Sequence, residues 1–255
     1  MIKGSEWESN APLVIAHRGA SAYAPENTLA AILEAVRMRA NAIELDAKLL
    51  KDGSIIVLHD TTLDRTTNGQ GSIYQYTYDE IRGLDAGSNF SPQFSHENIP
   101  TLDIILKRFG EDLLFNIELT NYVRPWDGLP RAVITLVRRY QLEKSVLLSS
   151  FNPWALITSK RIEPGIPIAL LFHPKVSRFL RSFMQKIIDP MAYHPHHSCV
   201  SEEMMINARK NNKRVNVWTV NERLKMMELI YLGVNGLITD FPDIAEDVIR
   251  ETQKR

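Results

Sequence analysis

Short apolar runs recur along the chain and alternate with longer stretches in which apolar residues recur at helical spacing. Unbroken apolar runs are typical of strands buried on both faces, and their alternation with helices predicts parallel strands joined by right-handed crossovers. The strand-like runs are Leu13–Ala16, Ala42–Leu45, Ile55–Leu58, Leu113–Ile117, Val146–Leu148, Ile166–Phe172, Val215–Trp218 and Gly236–Ile238. The helix-like stretches include Thr28–Arg39, Leu129–Tyr140 and Ala155–Arg161.

Two segments depart from this alternation. The pair Asp52-Gly53 is typical of a tight turn between strands, so we expect Ile55–His59 to pair antiparallel with Ala42–Ala47. The stretch 60–100 is rich in Thr, Asn, Gly, Ser and Tyr, and a loop of this length usually has a function or carries small elements of its own. No internal repeat or linker divides the chain, so residues 1–255 are predicted to form a single domain.

Length and composition narrow the choice of fold and partners. The chain has 255 residues, 44% of them hydrophobic, and about 250 residues is the typical size of an eight-stranded α/β barrel. Thirty basic residues balance thirty acidic ones, so no net field would recruit nucleic acid or an anionic membrane. Cys199 is the only cysteine, which excludes an intramolecular disulfide and fits a reducing compartment.

The chain shows no sequence signal for membrane insertion or export. No apolar run approaches the ~20 residues that span a bilayer, and the N-terminal MIKGSEWESN lacks the apolar core of a secretory signal. We therefore expect a cytoplasmic protein without a transmembrane segment. The sequence leaves open whether the protein forms a homo-oligomer.

Charged and imidazole side chains stand at or just past the ends of several apolar runs. In chain order, these residues are His17, Arg18, Glu44, Asp46, His59 and Glu118. A parallel α/β barrel collects the C-terminal ends of its strands on one face, where barrel enzymes place their active sites. Two histidines, an arginine and three carboxylates on one face would suit a metal-assisted attack on a phosphoester. We therefore expect a parallel (β/α)8 barrel of the TIM type with its active site there.

Glu44 and Asp46 are two residues apart on a predicted strand, so their side chains point to the same face. Two buried carboxylates repel each other unless a cation lies between them. The alternative, an edge strand with its acidic face in water, fits poorly with the apolar neighbours Ile43 and Leu45. Glu118 on another strand would complete an all-oxygen set of ligands, which suits Mg²⁺ or Ca²⁺ more than Zn²⁺.

The histidines and Arg18 suit the other tasks of phosphodiester cleavage. Of His17 and His59, one can remove a proton from the attacking hydroxyl or water while the other donates one to the departing alkoxide. Taken singly, each histidine would more simply be a core residue bonded to backbone. Arg18 can hold two phosphate oxygens with its guanidinium, although a surface salt bridge is the alternative. Glu26 and Asn27 are expected to fix the first loop, with Asn27 also suited to cap the following helix.

Two aromatic residues and a histidine cluster allow more than one interpretation. Trp218 ends an apolar run and Phe151 lies in the fragment SSFNP, so each would either face substrate at the barrel mouth or plug the top of the barrel. Three histidines fall within residues 194–197, which would suit zinc. No Cys, Asp or Glu stands nearby at ligand spacing, so we assign these histidines no metal role.

Seven fragments of the chain, between His17 and Asp243, resemble the glycerophosphodiester phosphodiesterases. They are HRGASAYAPENT at 17–28, ELDAKLLKDGSIIVLHDTTLDRTTNG at 44–69, IPTLDIIL at 99–106, FNIEL at 115–119, SSFNP at 149–153, VWTVN at 217–221 and GLITDFPD at 236–243. Each fragment alone is weak evidence, whereas their order and spacing together are highly specific. The resemblance implies an α/β barrel with a small insertion after the second strand, at about 60–100, that covers part of the active-site mouth.

The resemblance also implies roles for individual residues. The family's metal ligands match Glu44, Asp46 and Glu118. Its general acid and base match His17 and His59, the residue matching Glu26 lines the site, and the one matching Trp218 packs against the glycerol moiety. The implied reaction is metal-dependent hydrolysis of a small glycerophosphodiester substrate to an alcohol and sn-glycerol 3-phosphate. Two alternatives remain, namely lysophospholipase D-type cleavage of lysophospholipids at the same site and a binding barrel without turnover.

One position departs from the family pattern. A lysine that contacts phosphate usually follows two residues after the third carboxylate, whereas this chain has Thr120 there. A hydroxyl carries no positive charge, so phosphate binding would weaken unless Lys48 or Arg124 supplies the cation. If neither does, Thr120→Lys would tighten binding of small substrates, and if one does, the added lysine would crowd the site.

Overall fold

The computed structural model describes Trp7, Ser9 and residues 11–253, so the N-terminal segment assessed for an export signal lies mostly outside the described residues. The strands are β1 (Leu13–His17), β2 (Ala42–Leu49), β3 (Ile55–Val57), β4 (Leu114–Leu119), β5 (Val146–Ser150), β6 (Ile168–Phe172), β7 (Ala192–Pro195), β8 (Arg214–Val217) and β9 (Gly236–Thr239). The helices are α1 (Leu29–Arg37), α2 (Tyr78–Ile81), α3 (Leu102–Phe109), α4 (Leu129–Arg139), α5 (Pro153–Ile162), α6 (Arg178–Ile188), α7 (Glu202–Lys210), α8 (Arg223–Leu232) and α9 (Pro242–Gln253). Short 3₁₀ helices include Ile73–Gln75, Pro92–Phe94 and His197–Cys199.

The parallel strands close into a barrel because β1 pairs with β9 on one side and with β2 on the other. Within the described residues, the order around the barrel is β1, β2, β4, β5, β6, β7, β8, β9, which confirms the predicted (β/α)8 barrel. β3 pairs antiparallel with the C-terminal end of β2, with Ile56 opposite Lys48, as the Asp52-Gly53 turn predicts. Gly53 has a φ of +85°, a conformation that glycine adopts at little cost.

Some strand boundaries differ from the predicted runs. β2 and β4 continue to Leu49 and Leu119, so the acidic residues of these strands lie within them and not past their ends. β7 is missing from the predicted apolar runs, because Tyr193 and His194 interrupt its apolar character, but the family resemblance places His194-Pro195 at the end of the sixth barrel strand, where the structure has them. The longer strands carry the carboxylates on the rigid wall of the barrel.

The interior of the barrel changes from apolar to polar along its axis. Residues two apart in a strand face the same side, so each strand contributes an inward series. At the N-terminal end, the buried apolar cluster contains Leu13, Ile15, Ala42, Leu114, Leu147, Ala169, Ala192 and Ile238. Trp7 packs against this cluster and donates its indole N–H to the carbonyl of Ser145 at 3.2 Å. Two residues further along their strands, the same series reaches His17, Glu44, Asn116 and Ser149.

Side-chain caps mark where several of the surrounding helices begin. Thr28, Thr101, Asn152 and Ser201 accept hydrogen bonds from backbone N–H groups in the first turns of α1, α3, α5 and α7. A cap of this kind typically contributes about 1 kcal/mol. No helix within the described residues is both long and apolar enough to cross a membrane.

Residues 60–100 contain α2 and two of the 3₁₀ helices. They pack around an apolar cluster that includes Ile56, Leu63, Ile73, Ile81 and Ile99. The carbonyl of Pro100 also accepts a hydrogen bond from the N–H of Val57 at 3.0 Å. This packing holds the segment against β3, beside the mouth of the barrel.

Candidate active site

Three carboxylates meet inside the barrel near its C-terminal end. β2 carries Glu44 and Asp46, and β4 places Glu118 opposite Asp46. One oxygen from each carboxylate lies within 4.8 Å of the others. Among the described residues, these three form the only group of acidic, histidine or cysteine side chains close enough to hold a metal ion together. The structure thus brings together the three predicted ligands.

Burial and mutual repulsion oppose ionisation of this cluster. Burial, reinforced by Asp46 and Glu118, raises the pKa of Glu44 well above its usual range. Burial and Asp46 likewise raise the pKa of Glu118 to about 7. Burial also acts on Asp46, but the charges of Arg18, His59 and His17 and the hydrogen bond from Asn27 together outweigh it and hold the pKa of Asp46 below its usual value. Three buried carboxylates that repel one another fit a hard divalent cation, because the positive charge of the cation removes the repulsion.

The loop after β1 folds around the same carboxylates. The backbone N–H of Arg18 donates to Glu44 at 3.0 Å, and its guanidinium lies 3.2 Å from Asp46 and 3.0 Å from Glu26. The chain turns sharply here, since Arg18 has a φ of +57° and a Cβ on Gly19 would collide with α1. Arg18 therefore lies beside the carboxylate cluster and bridges two acidic side chains.

Asn27 has a different place from the predicted helix cap. Its side chain donates to the carboxylate of Asp46 at 2.9 Å, and its Oδ1 accepts from the backbone N–H of Asp46 at 3.4 Å. Thr28 caps α1 instead, by accepting from the N–H of Ala31. The cap prediction is wrong because the helix begins one residue later, which leaves the Asn27 side chain to orient a carboxylate.

Each candidate histidine is held by an aspartate. Nδ1 of His17 lies 2.6 Å from Asp240, and Nδ1 of His59 lies 2.7 Å from Asp60. A carboxylate that accepts a hydrogen bond from Nδ1 leaves Nε2 able to take or give a proton. Nε2 of His17 lies 4.0 Å from Glu44, so this nitrogen faces the carboxylate cluster.

Asp240 is itself fixed by hydrogen bonds from two other loops. Ser21 donates to one of its oxygens at 2.9 Å, and Asn221 donates to the other at 2.6 Å. Burial opposes ionisation of Asp240, but the hydrogen bond and charge interaction with His17, together with the hydrogen bonds from Asn221 and Ser21, outweigh burial and lower the pKa of Asp240 to about 2. The carboxylate is therefore ionised and oriented toward the imidazole.

Arg65 ties the 60–100 segment to the first loop. It donates to Asp60 at 2.7 and 3.1 Å, which lowers the pKa of Asp60 to about 2. It also donates to both oxygens of Glu26, at 2.7 and 2.8 Å. Because Glu26 pairs with Arg18 as well, it joins the two arginines and fixes the position of the loop that carries His59.

Lys48 reaches the side chain of Thr120, where the family pattern has a lysine. Its ammonium donates to Thr120 Oγ1 at 2.7 Å and lies 3.4 Å from the carbonyl oxygen of Thr120. Thr120 in turn donates to the carbonyl of Ala47 at 2.7 Å. Burial lowers the pKa of Lys48, although the surrounding carboxylates oppose that shift. Arg124, the other candidate cation, instead lies over the ring of Tyr74, 4.3 Å from its centroid.

Aromatic side chains line another part of the mouth. Tyr122 donates to Glu118 at 2.5 Å and packs edge-on against Phe151, with ring centroids 5.9 Å apart. Phe151 packs edge-on against Trp218 at 5.5 Å. Trp218 donates its indole N–H to the carbonyl of His194 at 2.8 Å. Phe151 and Trp218 are both partly exposed, and Trp218 also packs against the apolar cluster inside the barrel.

Within the described residues, the histidines at 194–197 form no group close enough to bind a metal. His194 is buried inside the barrel, 3.0 Å from Asn216, and burial lowers the pKa of His194 to about 3. The rings of His196 and His197 stack at 4.2 Å outside this interior. Alternation along β7 and the turn after it send the side chains in different directions.

Comparison with known proteins decides the family. The model of the glycerophosphoryl diester phosphodiesterase family matches residues 17–244. The chain belongs to this family. A curated glycerophosphodiester phosphodiesterase from Caldanaerobacter subterraneus subsp. tengcongensis is 37% identical over 240 residues, which cover 94% of this chain and 98% of that protein. As a glycerophosphodiester phosphodiesterase, the protein is a phosphoric diester hydrolase.

Solved structures of the family share this fold. An Oleispira antarctica phosphodiesterase in complex with the product sn-glycerol-3-phosphate superposes with a TM-score of 0.84 at 29% identity, over 94% of this chain and 97% of that chain. A glycerophosphodiester phosphodiesterase from Agrobacterium tumefaciens gives a TM-score of 0.80 at 28% identity, over 92% of this chain and 99% of that chain. Both agree with the barrel seen here.

Sequence reasoning missed several residues of this phosphodiesterase site. Asn221, Asp240 and Arg65 all lie within fragments that carry the resemblance, which is a signal that they matter. Nothing in their local spacing shows that Asp240 would hold His17. Tyr122 lies outside those fragments and had no sequence signal.

Proposed function

We propose that this phosphodiesterase hydrolyses glycerophosphodiesters to an alcohol and sn-glycerol 3-phosphate, with a bound divalent cation and two histidines that transfer protons. The main support is the position of Glu44, Asp46 and Glu118 beside two histidines. Nδ1 of each histidine forms a hydrogen bond with an aspartate. The Oleispira antarctica relative, solved in complex with sn-glycerol-3-phosphate, supports the substrate class.

Glu44, Asp46 and Glu118 would hold the cation, Mg²⁺ or Ca²⁺, because hard divalent ions prefer carboxylate oxygens. When bound, such an ion polarises the phosphoryl oxygen and lowers the pKa of the attacking hydroxyl. Asn27 and Arg18 orient Asp46 by contacting its carboxylate, and the backbone of Arg18 orients Glu44.

His17 and His59 divide the proton transfers. One imidazole removes a proton from the attacking hydroxyl, and the other protonates the departing alkoxide. Asp240 and Asp60 hold the two rings by Nδ1, so Nε2 is the atom that exchanges the proton in each. Water and the substrate's own glycerol hydroxyl both fit this scheme as the nucleophile.

We assign two positively charged side chains to the binding of the substrate's phosphate group. Arg18 offers a planar guanidinium, and Lys48 supplies the point charge that Thr120 lacks. Glu26 would act on the substrate through its neighbours, because its carboxylate pairs with Arg18 and Arg65 and a bare carboxylate would repel phosphate.

Phe151 and Trp218 are assigned to the neutral part of the substrate. Their rings pack edge-on, are partly exposed and carry no charge. Apolar contact of this kind suits the carbon skeleton of glycerol or of the departing alcohol.

A panel of phosphodiesters tests this function. The purified enzyme is incubated with glycerophosphocholine, glycerophosphoethanolamine or lysophosphatidylcholine in the presence of Mg²⁺, Ca²⁺ or Mn²⁺, and the products are identified. Release of sn-glycerol 3-phosphate from the two deacylated substrates is expected. Preference for the long-chain lysophospholipid would favour the lysophospholipase D-type alternative, and no turnover with any substrate would favour a binding barrel.

We also propose that residues 1–255 form a single domain and that the enzyme acts in the cytoplasm. The single Cys199, which is free in the structure, fits a reducing compartment. Limited proteolysis and cell fractionation would test these two points.

A further inference from the structure

An exposed apolar surface runs along α5 and α6. This α5/α6 face consists of Trp154, Ile157, Phe179, Leu180, Phe183 and Ile187. Phe179 and Phe183 are 83% and 55% exposed, and a groove of about 580 Å³ lies between the two helices. Large exposed apolar patches on a folded protein commonly mark contacts with a partner or with lipid.

The α5/α6 face begins at the mouth of the barrel. Trp154 lies in the first turn of α5, shortly after Phe151, and its ring lies 5.5 Å from that of Trp126. These two tryptophans are 72% (Trp126) and 53% (Trp154) exposed. Both follow the C-terminal ends of barrel strands, so the end of the α5/α6 face that carries Trp154 lies at the same end of the barrel as the active site.

Three of the cations that border the α5/α6 face have no acidic partner in the described part of the chain, whereas Lys160, which also lines the groove, pairs with Asp189 at 3.5 Å. Arg161 lines the groove, Lys186 lies on α6 and Lys175 precedes that helix, and none of them forms an ion pair in the described part of the chain. The sequence of α6, RFLRSFMQKII, contains no Asp or Glu. Glu163 and Asp189, the nearest acidic residues in sequence, are paired with other basic residues. The chain as a whole carries no net charge, but positive charge is in excess around the α5/α6 face.

We propose that the α5/α6 face docks the enzyme onto an anionic lipid surface and holds the barrel mouth at the level of the headgroups. A helix with exposed aromatic and aliphatic residues, bordered by Lys and Arg, lies in the plane of such an interface with its apolar side among the lipids. α6 has 11 residues, whereas about 20 are needed to span a bilayer, so the contact is peripheral. Docking uses none of the proposed catalytic residues and stands independently of the proposed hydrolysis.

A second copy of the chain is the competing occupant of this surface. A symmetric dimer through the α5/α6 face would bring the same patch of each copy together. The cations of one copy would then lie near those of the other, because Arg161, Lys175 and Lys186 border both surfaces, and like charges across an interface are unfavourable. Anionic lipid headgroups would form ion pairs with the same cations.

Co-sedimentation with vesicles tests the docking. The enzyme is mixed, without substrate, with vesicles of phosphatidylcholine alone or of phosphatidylcholine and phosphatidylglycerol. We expect about hundred-fold tighter binding to the mixed vesicles, because three unpaired cations would face anionic headgroups. Added salt should weaken this binding, since ions screen surface charges.

Two charge-matched variants locate the contact. The Phe179→Glu/Phe183→Glu variant should bind the mixed vesicles at least about ten-fold more weakly. The Val36→Glu/Leu224→Glu variant changes exposed apolar residues on α1 and α8 and should bind like the unmodified enzyme. Far-UV circular dichroism checks that both variants fold. Equal binding by the two variants, no binding by the unmodified enzyme, or a dimer that only the Phe179→Glu/Phe183→Glu variant dissociates would overturn the proposal.

Discussion

The mouth of the barrel has a charged part and an aromatic part, which are held together in different ways. The charged part comes from β1 and the loop after it, from β2, β4 and the 60–100 segment, and from Asp240 after β9. Most of its side chains are joined by ion pairs and charge-assisted hydrogen bonds. The aromatic part comprises Tyr122, Phe151, His173, His196 and Trp218, whose neighbouring rings lie 5.2 to 6.3 Å apart.

This difference predicts how each part responds to substitution. In the charged part, removal of one side chain leaves a buried partner uncompensated, which costs more than the lost contact itself. In the aromatic part, truncation of a ring removes apolar contacts that its neighbours partly replace. We therefore expect the charged part to control turnover and the aromatic part to control mainly substrate affinity.

The largest effect is expected when two of the three carboxylates are removed. Glu44→Ala/Asp46→Ala should lower kcat by about 10³-fold or more, because a catalytic cation contributes several kcal/mol to the transition state. A chelator should abolish turnover of the unmodified enzyme, and a divalent ion should restore it, whereas the variant should not recover. Glu111→Ala/Asp112→Ala, which removes two exposed acidic residues, is the control. Full turnover in excess chelator would contradict the metal assignment.

Loss of either proton-transferring histidine should have the next largest effect. His17→Ala and His59→Ala should each reduce kcat by about 10²-fold or more, the usual contribution of a positioned acid or base. His96→Ala, at an exposed site, and His196→Ala, in the aromatic part, should change steady-state rates only slightly. The reverse ranking would place catalysis in the aromatic part.

Removal of the buried positive charge of Lys48 should have an intermediate effect. Lys48→Met keeps most of the side-chain length but removes the charge, so kcat/KM for glycerophosphoethanolamine should fall about ten- to hundred-fold, since a charged hydrogen bond typically contributes about 1.5–3 kcal/mol. Lys51→Met, which removes an exposed lysine paired with Glu80, is the control. An unchanged kcat/KM would give Lys48 a purely structural role.

An exchange of the residues at positions 48 and 120 tests further whether Lys48 supplies the positive charge for the phosphate. Thr120→Lys alone should lower activity, because the new ammonium would crowd that of Lys48, which now lies 2.7 Å from the threonine hydroxyl. Lys48→Thr/Thr120→Lys should recover much of the activity, since it restores a single cation at the position usual in the family. Steady-state kinetics of the single and double variants compares these outcomes. A gain from Thr120→Lys alone would show that Lys48 does not serve the phosphate.

The smallest effect is expected in the aromatic part. Phe151→Ala and Trp218→Ala should each raise KM by about two- to ten-fold with little change in kcat, because aromatic contacts typically contribute about 1 kcal/mol. Trp126→Ala, at an exposed ring that does not contact Phe151 or Trp218, is the control. A fall in kcat to the level of the histidine variants would remove the distinction between the two parts.

The sequence by itself determined the barrel and the main chemistry of the charged part. Alternation of apolar runs and helical stretches predicts the parallel strands, and spacing by two places Glu44 and Asp46 on one face. His17 and Glu118 are predicted at the same end of the barrel because each lies near the end of an apolar run. These features depend on residues within a single strand, so local spacing is enough to encode them.

The packing of α6 illustrates what periodicity leaves open. Its apolar spacing is typical of a helix that faces the core, yet Phe179, Phe183 and Ile187 are exposed. Spacing shows that a helix has an apolar side, but the neighbouring elements determine whether that side is covered.

Only the tertiary structure decided which residues meet across the barrel. Asp240 reaches His17 because β9 pairs with β1 when the barrel closes. Lys48 reaches Thr120 because β2 and β4 pair in the register that also sets Asp46 opposite Glu118. Barrel closure and strand register arise from contacts between distant parts of the chain, and the local spacing of residues encodes neither.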